Sequence, residues 1–122
     1  MTNLKNLTIS SAHDHLKRGD FSVTELAESH LKEIEKKDKD IHAYLEVFDD
    51  VLEQAKEAEK LFEAGKTSAL TGIPFAIKDN ILIKGRRVGA ASKILEGYHA
   101  TYDAAAIKKL KDQGAIFLGR AN

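Results

Sequence analysis

The residues best placed to do chemistry sit in one short stretch, GIPFAIKDN at positions 72–80. An apolar run from Ile73 to Ile77 ends on Lys78, with Asp79 and Asn80 directly behind it. A lysine at the carboxyl end of a buried strand loses solvation, which favours its neutral form. A neutral amine can accept a proton from a hydroxyl and so activate a serine. The other reading is a structural lysine that pairs with Asp79 or reaches solvent. Position alone leaves both open.

Other candidates are weaker. His13 and His15 lie two residues apart, which on a helix puts them on different faces and argues against a shared metal. His30, His42 and His99 have no carboxylate or cysteine spacing around them, so no metal site is expected. Ser92 could be a nucleophile, yet the residues around it supply no adjacent base. Lys84, Arg86 and Arg87 could touch a phosphate, but a short charged turn is the commoner use of such a cluster. Neither G-x-x-x-x-G-K-[ST] nor G-x-G-x-x-G occurs, so nucleotide binding and any cofactor of that kind lack support.

Composition narrows the class. Nineteen basic residues balance nineteen acidic ones, which removes a global attraction to nucleic acid or to an anionic membrane. With no cysteine, disulfides and thiolate metal sites are excluded. The first twenty residues lack the apolar core of a secretory signal, and no run reaches the roughly 20 apolar residues of a membrane span. A cytoplasmic setting is the expectation, with no membrane partner.

Two styles of sequence must position Lys78. Up to about residue 65 the chain is charged and helical in pattern. A short helix is expected over residues 9–18, stopped at Gly19. Ser22 and Glu25 form a capping box for a second helix, whose stripe is Val23, Leu26, Ala27, Leu31 and Ile34. The charged run Lys36 to Asp40 should end it. A third helix is expected from about Glu46 to Ala64, after a connection through Ile41, Ala43, Tyr44 and Leu45. Two such helices make a hairpin that must bury its stripe against something else.

From Gly72 onward the pattern changes. Ile73–Ile77 reads as a strand covered on both faces, with Pro74 near its start. Ile81-Leu82-Ile83 is a second short strand or an apolar turn. Asp103 should cap a helix that runs to Gly114, and Ala115–Gly119 is another buried strand. Strand, crossover and strand make a parallel βαβ unit, right-handed by rule. The fold class is therefore α/β: a helical part over residues 1–65, then the start of a mixed-sheet core over residues 72–122. Two parallel strands are not stable alone, so the fold reads as incomplete and the chain as an N-terminal piece of one domain.

Three segments together resemble the amidase signature family. GIPFAIKDNI is similar to its lysine segment, and ASKILEGYHATYDAAAIKKLKDQGAIFLGRAN to the stretch that follows. FSVTELAESHLKEIEKKDKDIHAYLEVF is similar to the family's capped N-terminal helix. Within the family, the A-S-K-I-L-E segment favours the amidase component of the tRNA-dependent amidotransferases over general amidases.

The resemblance implies a Ser–cis-Ser–Lys triad, with Lys78 as the buried base and Asp79 and Asn80 as its supports. It implies hydrolysis of glutamine through an acyl-enzyme. Ammonia would pass to the partner B and C subunits, which would use ATP and magnesium to convert Glu-tRNA(Gln) or Asp-tRNA(Asn). The two serines belong to a Gly/Ser-rich segment that nothing in these 122 residues matches. Of the catalytic residues only Lys78 carries over, so this chain alone is expected to be inactive. A small-amide amidase and a non-catalytic helical binding module stand as alternatives.

Overall fold

The structure is a computed structural model and describes residues 3–122. Met1 and Thr2, the start of the segment read as lacking a secretory signal, lie outside the described residues.

Helix α1 spans Ile9–Arg18 and is closed by Thr8 and Ser11 in a reciprocal capping box. Gly19 ends it at φ 75°, a conformation that costs other residues a Cβ clash. Helix α2 spans Val23–Ile41. Ser22 Oγ accepts from Glu25 N at 3.0 Å, which is half of the expected box. The carboxylate at this N-terminus comes instead from helix α3, Val51–Glu63: Thr24 N donates to Glu59 Oε1 at 2.8 Å. A negative group there opposes the positive end of the helix dipole. The charged run does not stop α2. The helix continues to Ile41 and ends at His42, which takes φ 55°.

The expected start of the third helix is corrected. Residues Tyr44–Val47 form strand β1, and α3 begins only at Val51. Strand β2 is Pro74–Lys78, helix α4 is Ala105–Asp112 and strand β3 is Ile116–Ala121. The sheet order is β1-β3-β2, with β1 antiparallel and β2 parallel to β3. Extended chain at Tyr44-Leu45-Glu46-Val47 is explained by what it pairs with. Its residues align with Ala121, Arg120 and Gly119, and Phe48 N donates to Leu118 O at 2.9 Å. The helical and α/β parts therefore share one sheet and one core.

That core joins Val23, Leu26 and Ala27 of α2 to Val51, Ala55 and Ala58 of α3, and these to Ile77, Ile107, Ile116 and Phe117. Leu26 is fully buried, which favours folding by about 1.5–3 kcal/mol. Gln54 of α3 ties the layers with its amide, which donates to Phe117 O at 3.0 Å and accepts from Phe117 N at 2.8 Å. Two further expectations change. Strand β2 is covered on one face rather than on both: Ile77 is buried, while Ala76 and Lys78 on the other face are exposed. Asp103 does not cap α4, whose N-cap is Ala104. Its carboxylate instead accepts from Lys84 N at 2.8 Å and pairs with Lys111 Nζ at 2.8 Å. The segment Ile81-Leu82-Ile83 is the apolar turn, with Ile83 buried.

Gly119 is where β1 and β3 come closest. A Cβ there would overlap the carbonyl oxygen of Glu46. Gly119→Ala should force the two strands apart and cost about 2–4 kcal/mol in denaturant unfolding.

The Lys111 hydrogen bond first, and then that of Lys84 N, hold the Asp103 carboxyl below its ordinary value of 3.8, against the opposing effect of burial. A depressed acid stabilises the fold fully above its unfolded value, and that contribution disappears as pH falls through the lowered one. Acid titration should therefore loosen the Lys84–α4 contact only below about pH 4. Asp103→Asn should remove that part of the acid sensitivity, as read by amide exchange.

Candidate functional site

Lys78, Asp79 and Asn80 follow one another at the carboxyl end of β2, but their settings differ. Lys78 is the last residue of β2, opposite Ala121 of β3. Its side chain is exposed, which corrects the expectation of a dry lysine in this chain. The physical reason is the face it points to: Ala76 and Lys78 share the exposed face of β2, while Ile77 on the opposite face is buried. Among the described residues no ion pair involves Lys78 either, so the structural alternative of a Lys78–Asp79 pair is not what forms. Asn80 is exposed, in the turn closed by Ile81 N donating to Lys78 O at 3.0 Å.

Asp79 is buried, and its partners come from two sides, strand β3 and the loop at residues 89–90. Arg120 Nη1 of β3 donates to Asp79 Oδ1. Gly89 N donates to the same oxygen at 3.2 Å. The main chain is gripped as well: Asp79 N donates to Ala121 O at 2.9 Å, and Ala90 N donates to Asp79 O at 3.1 Å. Arg120 also donates through Nε to Glu46 Oε1 of β1 at 2.8 Å. Burial works against the charge on Arg120, but hydrogen bonds to Asp79 and then Glu46 outweigh it and keep this guanidinium above the ordinary arginine value. A partly buried charge with two charged partners satisfies the condition under which such a group is tolerated.

Beside this cluster lies an open groove of about 350 Å³, lined by Asp79, Arg87, Ser92, Lys93 and Arg120 among others. A strained segment runs along it. Ala90 and Ala91 take φ 47° and 57°, a left-handed region that costs a non-glycine residue about 1–2 kcal/mol. Gly89 leaves room for Asp79: a Cβ there would sit 3.0 Å from Asp79 Oδ2. Ser92 is held at this end through its backbone, which donates to Gly89 O at 2.8 Å.

The remaining candidates disperse. Arg86 is taken up structurally, with its guanidinium 3.7 Å over the Phe48 ring and both Asp50 oxygens within 2.9 Å. Lys84 lies in the Asp103 turn. His13 faces Phe62, while His15 Nδ1 meets Asp20 at 2.8 Å. His30 and His99 bond the nearby carbonyls of Leu26 and Gly97.

Comparison with known proteins identifies this arrangement. A family model described as Amidase matches residues 25–122. The chain belongs to the amidase signature family. It is 43% identical over 123 residues to the A subunit of a glutamyl-tRNA(Gln) amidotransferase from Brachyspira hyodysenteriae, covering 98% of this chain and 26% of that protein. The protein of the same name from Ruminiclostridium cellulolyticum is 41% identical over 120 residues, covering 98% and 25%. Among solved structures, a peptide amidase from Stenotrophomonas maltophilia superposes with a TM-score of 0.89 at 28% identity, over 97% of this chain and 25% of that one. The chain spans about a quarter of the length of the relatives it matches.

Sequence reasoning missed Arg120, Glu46 and the loop at residues 89–92. One signal was available for Arg120: a guanidinium directly after the apolar run Ile116–Gly119 needs buried acid partners. Glu46 offers none, because its spacing reads as the start of a helix.

Asp79→Ala should leave Arg120 with Glu46 alone and cost about 2–3 kcal/mol in denaturant unfolding. The double variant Asp79→Leu with Arg120→Met should cost less than the sum of the single changes, since fewer charges are then left without a partner.

Proposed function

We propose that this chain is the lysine-bearing part of the glutamine-hydrolysing component of an amidotransferase. The observation that carries the reading is the match to the A subunit of a glutamyl-tRNA(Gln) amidotransferase, 43% identical across 98% of the chain, with Lys78 at the end of β2. In this reading residues 1–122 are the N-terminal portion of one amidase domain. The rest of the full-length enzyme supplies the cover that Lys78 lacks here.

The chemistry assigned to Lys78 is general base catalysis. Its neutral amine takes a proton, through a middle serine, from the nucleophilic serine. That serine attacks the side-chain amide of glutamine, ammonia leaves with a returned proton, and water then releases glutamate. Asp79 and Asn80 support the turn that carries the base. The B and C subunits receive the ammonia and use ATP and magnesium to amidate Glu-tRNA(Gln) or Asp-tRNA(Asn), in the cytoplasm. Both serines and the donors that would stabilise the oxyanion lie outside the 122 residues, so this chain alone has no amidase activity.

A small-amide amidase is the second reading, favoured by the superposition on the peptide amidase. The full-length protein separates the two. The proposal expects glutamine-dependent ammonia release that is raised by the partner subunits and aminoacyl-tRNA. Hydrolysis of simple amides that ignores those partners would favour the second reading.

In the full-length enzyme Lys78→Ala should lower glutamine hydrolysis by about a thousandfold or more with the fold retained. Lys78→Arg should fail equally, because a guanidinium does not release its proton near neutral pH. Normal turnover in either variant, or ammonia release by the 122-residue chain, would remove the assignment.

A further inference from the structure

We propose that Arg120 is a positioning residue for Lys78, locking the turn that carries the amine and neutralising the carboxylate directly behind it. The inference rests on reading Lys78 as the base, and it extends the site to β3 and β1.

Four observations support it. Arg120 sits opposite Ile77 in the β2–β3 register, one position before the Lys78–Ala121 pair. Its guanidinium spans two carboxylates from different elements, Glu46 of β1 and Asp79 of the turn. The backbone next to Lys78 is fixed from both sides, by Ala121 O on Asp79 N and by Ala90 N on Asp79 O. The left-handed pair Ala90-Ala91 is tied to Asp79 by Ala90 N and, one residue earlier, by Gly89 N, so the Arg120–Asp79 contact also holds the groove wall that carries Ser92. Lys78 itself has no ion partner among the described residues, so its placement comes from its backbone.

The charges at this end of the sheet set the direction of the test. They are Glu46 from β1, Arg120 from β3, Asp79 after β2, and Arg87, Lys93 and Glu96 from the groove loop. Removing Arg120 leaves Asp79 negative beside the lysine and favours the ammonium form. Removing the charge of Asp79 leaves more positive charge and favours the amine. A residue that only stabilised the fold would lower the amount of active enzyme and leave the pH dependence alone.

The experiment compares wild type, Arg120→Met, Asp79→Asn and Lys78→Ala in the full-length enzyme with its partner subunits, measuring glutamine hydrolysis against pH well below the unfolding temperature. The expected result has two parts. The acid limb of kcat/KM moves up by about half a pH unit or more in Arg120→Met and down in Asp79→Asn. The plateau kcat falls at least about tenfold in Arg120→Met, with KM for glutamine within about threefold of wild type. Acid limbs that coincide with wild type in both variants would overturn the inference while Lys78→Ala remained inactive. Turnover by Lys78→Ala would overturn the reading beneath it. Should Arg120→Met fail to fold, Asp79→Asn decides alone: a downward shift supports the inference and an unmoved limb ends it.

Discussion

One partly buried charge cluster ties this structure together. Arg120 leaves the end of β3 and meets Glu46 on one side and Asp79 on the other. Breaking such a group by removing one partner costs up to about 3–5 kcal/mol, whereas its net value against an apolar replacement is small. The arrangement therefore specifies geometry more than it adds stability. It fixes where the last residue of β2 stands relative to β1 and β3, and that residue is Lys78.

The centre of the sheet makes the cluster possible. Strand β3 takes β1 on one edge and β2 on the other, in opposite senses. Gly119 lets β1 approach so closely that no side chain fits between them, and Arg120 follows directly. The register with β2 shifts between Phe75 and Ala76, leaving Leu118 as the extra residue on β3. Such a bulge re-aims the side chains beyond it. Helix α3 packs on the same strand and satisfies both backbone groups of Phe117 through Gln54. Each of these contacts feeds the same end of the sheet.

Much of this was legible in the residues, for reasons that differ by element. Helix α1 and its Gly19 stop follow from local rules of capping and left-handed φ, which need no tertiary partner. The parallel pairing of β2 and β3 follows from two apolar runs and a crossover. What escaped depended on distant partners. Tyr44–Val47 becomes a strand only because β3 is there to pair with it. Glu59 rather than Glu25 meets the start of α2 because α3 lies alongside. Asp103 prefers Lys111 and Lys84 N to a helix cap. At the site, the motif pointed to Lys78, Asp79 and Asn80 together, yet it could not show that Asp79 is buried against Arg120 while its two neighbours face solvent. The dryness expected around Lys78 rested on β2 being covered on both faces, and the face shared by Ala76 and Lys78 is open among the described residues.

If Lys78 is a base placed by its locked turn, a crystal structure of the full-length enzyme trapped with a glutamine-derived acyl group is the most direct test. Lys78 Nζ should then lie within about 2.6–3.2 Å of a serine hydroxyl, shielded from bulk water, with Arg120 still bridging Asp79 and Glu46. A Lys78 side chain that remains in solvent and apart from any serine, in an enzyme carrying the acyl group, would contradict it.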